Sequence, residues 1–144
     1  MLVKYIETRY IHQYWGTIEP FIQKALEYTD DLNVDQAKVL ITSGAWLVII
    51  AIEDEKITGV ATVSFENGIN FKTAFITCIA GKGIINKVAF KEFVDILKLY
   101  GTTRIQGHAR DSLVKLYKSF GISKKTNLVA VSYTHLTLPT ILRV

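Results

Sequence analysis

The chain has 144 residues, 49% of them hydrophobic, and a formal net charge of +4. That is enough for one domain with a real core and too little for two comfortable ones. The longest apolar run, Ala45 to Ile52, falls well short of the roughly 20 residues of a membrane span, so no membrane partner is expected. Charges within Met1–Tyr10 take the place of a signal peptide's apolar core, and the expectation is a soluble, unexported protein. The single cysteine, Cys78, excludes an internal disulfide framework, and the three histidines have no partners at ligand spacing, so no metal is expected. The mild positive charge speaks for solubility before nucleic-acid binding.

In chain order, Leu2 to Glu7 alternates as an opening strand does. From Ile11 to Leu26 apolar residues recur at helical spacing, and Gly16 with Pro20 predicts a break inside that region. Asn33 and Gln36 form a capping-box pattern for a short second helix that Gly44 closes. WLVIIAIE, from Trp46, is a strand covered on both faces. After a charged turn at Asp54–Lys56 comes a returning strand, and Asn67-Gly68 predicts a tight type I′ turn into a third strand, Ile69 to Cys78. A glycine turn follows, then a helix whose predicted inner stripe is Ile85, Val88, Ala89, Phe93, Ile96, Leu97 and Tyr100. Gly101 stops it. TTRIQG is a short strand, Asp111 to Phe120 a last helix, and Asn127 to Tyr133 a last strand.

The segment Val131 to Thr140, VSYTHLTLPT, resembles the translation of a transposon-based sequencing adapter, since GTC TCT TAT ACA CAT CTG ACG CTG CCG ACG encodes it in order. The expectation is a single domain over residues 1–130 and a non-native tail over 131–144, in a sequence assembled from metagenomic DNA.

The element order β-α-α-β-β-β-α-β-α-β resembles the GNAT (N-acetyltransferase) superfamily, and most of all the small GNAT-like proteins of phage genomes. That resemblance implies an α/β (α+β) fold with a mixed, mostly antiparallel sheet and helices on both faces. Cys78-Ile79-Ala80-Gly81-Lys82-Gly83 is similar to the family's Gln/Arg-x-x-Gly-x-Gly/Ala turn, which binds the pyrophosphate of acetyl-CoA, although Cys78 replaces the polar first residue. By resemblance, Ile79, Gly81, Lys82, Gly83 and Ile84 would bind the cofactor. Leu116-Tyr117-Lys118-Ser119-Phe120-Gly121-Ile122 is similar to the family's Leu-Tyr-x-x-x-Gly-Phe, which implies Tyr117 as the acid that protonates the departing thiolate. Both motifs have a plainer reading: glycines that serve turn conformation, and a tyrosine that serves the core.

The family places a carboxylate base on or near the third strand of the meander, and Ile69 to Cys78 contains no acid. Glu66, at the end of the preceding strand, and His108, just after TTRIQG, are the substitutes, and Arg110 is a candidate contact for a phosphate or a carboxylate. The resemblance thus implies an acyl-CoA-dependent N-acyltransferase with a small-molecule or peptide amine acceptor. The missing carboxylate supports a second reading, a non-catalytic phage-encoded domain that works as a virion component, an interaction module or a homo-oligomer. The expected location is the cytoplasm of a bacterial host or the virion.

Overall fold

The computed structural model describes residues 2–27, 31–108, 122–125, 128–131 and 140–143, with their side chains as far as residue 107. Strand β1 (Leu2–Ile6) leads through one 3-10 turn, Thr8–Tyr10, into α1 (Ile11–Leu26) and α2 (Val34–Thr42). Then come β2 (Leu47–Glu53), β3 (Lys56–Asn67), β4 (Lys72–Ala80), α3 (Lys87–Leu99) and β5 (Arg104–His108). β6 (Ile122–Lys125), β7 (Leu128–Val131) and β8 (Thr140–Arg143) follow, and one eight-stranded sheet runs β1-β2-β3-β4-β5-β8-β7-β6. Only the β4/β5 and β5/β8 pairs are parallel. The mixed, mostly antiparallel α/β architecture is the expected one. The last helix expected at Asp111–Phe120 lies outside the described residues, and β6 and β8 are strands that the sequence pattern did not announce.

β2 shows why the sheet is covered on both sides. Ile49 and Ala51 pack toward α3 with Ala61, Val63, Ala74, Ile76, Phe93 and Leu97, whereas Val48 and Ile50 pack toward α1 and α2 with Ile18, Ile22, Ala37 and Ile41. A strand with period-two alternation that is apolar on both faces needs a helix layer on each.

Two expectations about helices change. α1 is continuous through Gly16 and Pro20. Pro20 is exposed, and the carbonyl it leaves unbonded, four residues back, belongs to Gly16, where an added Cβ would meet nothing within 4 Å. The ring is therefore accommodated on the wet side of the helix. In α3 the buried stripe is Ala89, Phe90, Phe93, Val94 and Leu97, while Val88 is 63% exposed. Asn86 fixes this rotation by capping the helix: its side chain accepts from the Ala89 amide at 2.8 Å.

The β3–β4 connection is also longer than a two-residue turn. The loop runs through Gly68–Phe71, closed by the Gly68 amide donating to the Phe71 carbonyl at 2.8 Å. The resulting register sets Phe65 against Ala74 and Glu66 against Thr73, which keeps apolar side chains together on the α3 face.

Candidate functional site

β4 organises the site. On one side it pairs with β3 as far as Val60↔Ala80, but its parallel pairing with β5 ends at Ile76↔Gly107 among the described residues. From Thr77 to Ala80 the strand is bonded along its β3 edge, and among the described residues its other edge has no strand partner.

A bulge lies where the β4/β5 pairing stops. Thr62 pairs with Cys78 and Val63 with Ile76, so Thr77 is an extra residue on β4. The Thr77 hydroxyl donates to the Thr62 carbonyl at 3.0 Å, and the two hydroxyls lie 2.7 Å apart. The extra residue also reverses the alternation: Ile76 packs toward α3, and Cys78 packs toward α1 and α2. Burial pushes the Cys78 thiol above its ordinary range, and the bond with Thr62 pulls it back only partly. Its place is in the core, as its apolar strand predicts.

The glycine turn closes the end of β4, and its glycines answer to packing. Gly81 has φ +98°, and a Cβ there would lie 2.4 Å from the Thr58 carbonyl oxygen. A Cβ on Gly83 would lie 1.8 Å from the Thr58 Oγ1. Thr58 is itself a bulged residue, between Ala51↔Gly59 and Ile52↔Ile57, and its carbonyl accepts the Gly83 amide at 3.1 Å. The amides of Ile84 and Ile85 donate to Gly81 at 3.3 and 3.4 Å. Of the residues expected to cradle a phosphate, Gly83 and Ile84 thus spend their amides internally, and Ile84 is a core side chain. Ile79 is half-buried opposite Ala61, packed against the α3-side core.

What remains open at this end is positive. Lys82 and Lys87 are exposed, and α3 has no acid in its first turn, so no carboxylate there compensates the helix N-terminus. Asn86 holds the turn by donating to the carbonyls of Lys82 and Gly83 at 3.2 and 3.0 Å. The amides of Gly83, Ile84 and Ile85 are thus bonded within the protein, and that of Ala89 to the Asn86 side chain, while Lys82 and Lys87 are exposed beside them.

His108 ends β5 at the same end of the sheet, paired with Arg143. Glu66 does not join it. It is exposed and pairs with Thr73, seven residues before Ala80, about 23 Å along the strand from the glycine turn. Tyr117 and Arg110 lie outside the described residues. The threonines at positions 58, 62 and 77 were missed in the sequence because no motif marks them; their roles come from bulges. Among the described residues there is no metal-ligating cluster, and no helix is long and apolar enough to cross a membrane.

A bulged strand, a glycine turn and a helix follow one another here, in a fold that known structures share. A probable acetyltransferase superposes with a TM-score of 0.67 at 12% identity, over 96% of this chain and 97% of the other. The fold is that of the GNAT acetyltransferases. An aminoglycoside acetyltransferase from an uncultured soil metagenomic sample, solved in complex with sisomicin, matches at TM-score 0.66 and 14% identity, over 92% and 95% of the two chains. A predicted acetyltransferase from Clostridium acetobutylicum, solved with acetyl-CoA, matches this GNAT fold at TM-score 0.60 and 13% identity, over 87% and 91%. No family model matches the sequence, and no curated protein does.

Proposed function

We propose that this chain is an acyl-CoA-dependent N-acyltransferase acting on an amine acceptor. The observation that carries the reading is that the β4/β5 pairing stops at Ile76↔Gly107 among the described residues, at the same sheet end as a helix N-terminus that bears lysines and no acid in its first turn. An acyl-CoA supplies an activated thioester. Lys82, Lys87 and the Lys87 and Val88 amides would hold its pyrophosphate, and the edge of Thr77–Ala80 that has no strand partner among the described residues would hydrogen-bond the amide-bearing arm. With Glu66 remote, His108 or water takes the proton from the acceptor nitrogen, and Tyr117 returns one to sulfur.

Calorimetric titration with acetyl-CoA tests this. The parent binds at millimolar ligand or below, and the exposed double variant Lys82→Glu, Lys87→Glu binds roughly tenfold more weakly or worse. Absence of heat in the parent removes the reading. Substitution of Gly83 is unsuited to the purpose, because its Cβ would strike Thr58.

The internal bonding of the Gly83 and Ile84 amides favours a second reading, a phage-encoded GNAT-fold domain that serves as a virion component or interaction module without acyl transfer. It predicts a stable oligomer or partner complex without coenzyme A, and light scattering that returns a lone monomer binding acetyl-CoA counts against it. We also read residues 1–130 as the native domain and 131–144 as adapter-derived. Sequencing an unfragmented clone decides this, and an intact codon run through Thr140 refutes it.

A further inference from the structure

A second groove lies at the other end of β4. Glu66, Thr73 and Arg104 are aligned across β3, β4 and β5 by the pairs Glu66↔Thr73 and Thr73↔Arg104. Their sheet neighbours Phe65, Ala74 and Ile105 belong to the α3-side core, so alternation puts all three on the opposite face. They line a cavity of about 420 Å³ together with the loop residues from Asn67 to Phe71.

Among the described residues no carboxylate holds Arg104. Its guanidinium lies 4.5 Å from the centre of the Phe71 ring, and its Nε donates to the Thr73 hydroxyl at 3.3 Å. Stacking and that one bond fix the plane of the fork and leave the terminal nitrogens for a ligand. Glu66 stands two strands away, about 10 Å between Cα atoms, and among the described residues no ion pair joins it to Arg104. The groove thus presents one positive and one negative group, separate and facing the same space. Ile69, fully exposed at the loop tip, and Phe71, 38% exposed, add apolar surface beside them.

We propose that this groove binds a free α-amino acid, with its carboxylate on Arg104 and its ammonium on Glu66. A bidentate carboxylate suits the exposed end of a guanidinium whose Nε is already engaged. The ammonium suits a carboxylate that pairs with no cation among the described residues, and an apolar side chain suits Phe71 and Ile69. A simple anion satisfies Arg104 and is repelled by Glu66; a simple amine meets the reverse. Only a zwitterion satisfies both, which makes the pair a selectivity device. The inference does not depend on acyl transfer.

The test is an NMR titration of the full chain with L-norleucine, following the Arg104 side-chain Nε–H. Saturable shifts are expected at millimolar ligand, with affinity at least tenfold weaker for norleucine methyl ester and for N-acetylnorleucine, which lack the carboxylate and the ammonium respectively. Glu66→Gln and Arg104→Gln each weaken norleucine binding tenfold or more. Thr73→Val, which frees the Nε without touching either charge, weakens it severalfold. Thermal melts establish that each variant is folded, and Arg104→Lys, which keeps the charge, retains part of the affinity if Arg104→Gln melts early. Equal binding of the two blocked derivatives and norleucine, or norleucine binding untouched in folded Glu66→Gln, overturns the proposal. Acetyl-CoA shifts at Lys82–Val88 are read separately, so failure of the acyltransferase reading leaves this result standing.

Discussion

The two ends of β4 invert what their sequences advertise. At the C-terminal end the Gly-x-Gly turn looks like a ligand cradle, yet Thr58 fills the space in front of Gly81 and Gly83. At the N-terminal end Lys72-Thr73 follows an unremarkable loop, yet the chain there builds a groove with two charges of opposite sign that form no ion pair among the described residues. Glycine signals close approach, and the approaching group here is the protein's own backbone. Unpaired charge on a fixed side chain points outward, and it leaves no motif in the sequence.

The sharpest way to break this contrast is to add one methyl group at each end. Gly81→Ala combines a positive φ with a contact 2.4 Å from backbone, and Gly83→Ala puts carbon 1.8 Å from Thr58 Oγ1. Each is expected to cost about 3 kcal/mol in chemical denaturation. Gly68→Ala, in the loop at the other end, meets only the Phe71 carbonyl at 3.2 Å and should cost less than about 1 kcal/mol. Equal costs would mean that the glycine turn is no more tightly packed than the open loop.

The bulge at Thr77 is the next target. Thr77→Val removes a hydroxyl that bonds both the carbonyl and the side chain of the buried Thr62. A loss of about 1–2 kcal/mol is expected, and an unchanged denaturation midpoint would show the threonine pair to be incidental. The neighbouring Cys78 gives a pH signature. Its thiol is raised in the folded state, so the folded chain holds the proton where the unfolded chain gives it up. The sign follows: stability is full below the ordinary thiol value and falls as pH rises beyond about 9, by at most about 1.4 kcal/mol per unit. Cys78→Ala should flatten that alkaline slope.

Much of the fold was legible because it rests on period. β2 reads as doubly covered from WLVIIAIE alone, and Asn33 with Gln36 forms the expected capping box. Rotation and register were harder. Val88 and Val94 are equally apolar, and the choice between them is made by the Asn86 cap, which sets where α3 begins. TAFITCIA is apolar at every position except Thr73 and Thr77, so nothing in it reveals that Thr77 reverses the strand's faces. Pro20 looked like a break because its exposure and its open Gly16 partner are tertiary facts. At the site, His108 was found by its position after a strand, whereas the Arg104–Thr73 bond joins residues 31 apart in sequence. Such a contact exists only once the strands are paired.

The smallest expected effect bears most directly on function. The N-terminus of α3 carries Lys87 and, nearby, Lys82, and its first turn has no acid, an arrangement that opposes the helix dipole. Lys87→Glu should therefore stabilise the ligand-free protein, by about 0.5 kcal/mol at low salt, with the gain shrinking as salt screens it. The same substitution should weaken acetyl-CoA binding. A residue chosen for stability alone would not be lysine there, so opposite changes in melting temperature and affinity would identify an anion as the missing compensating charge. If the variant gains stability and binds acetyl-CoA as the parent does, the positive end of α3 is an ordinary solvated surface, and the proposed cofactor contact at the turn's rim is lost.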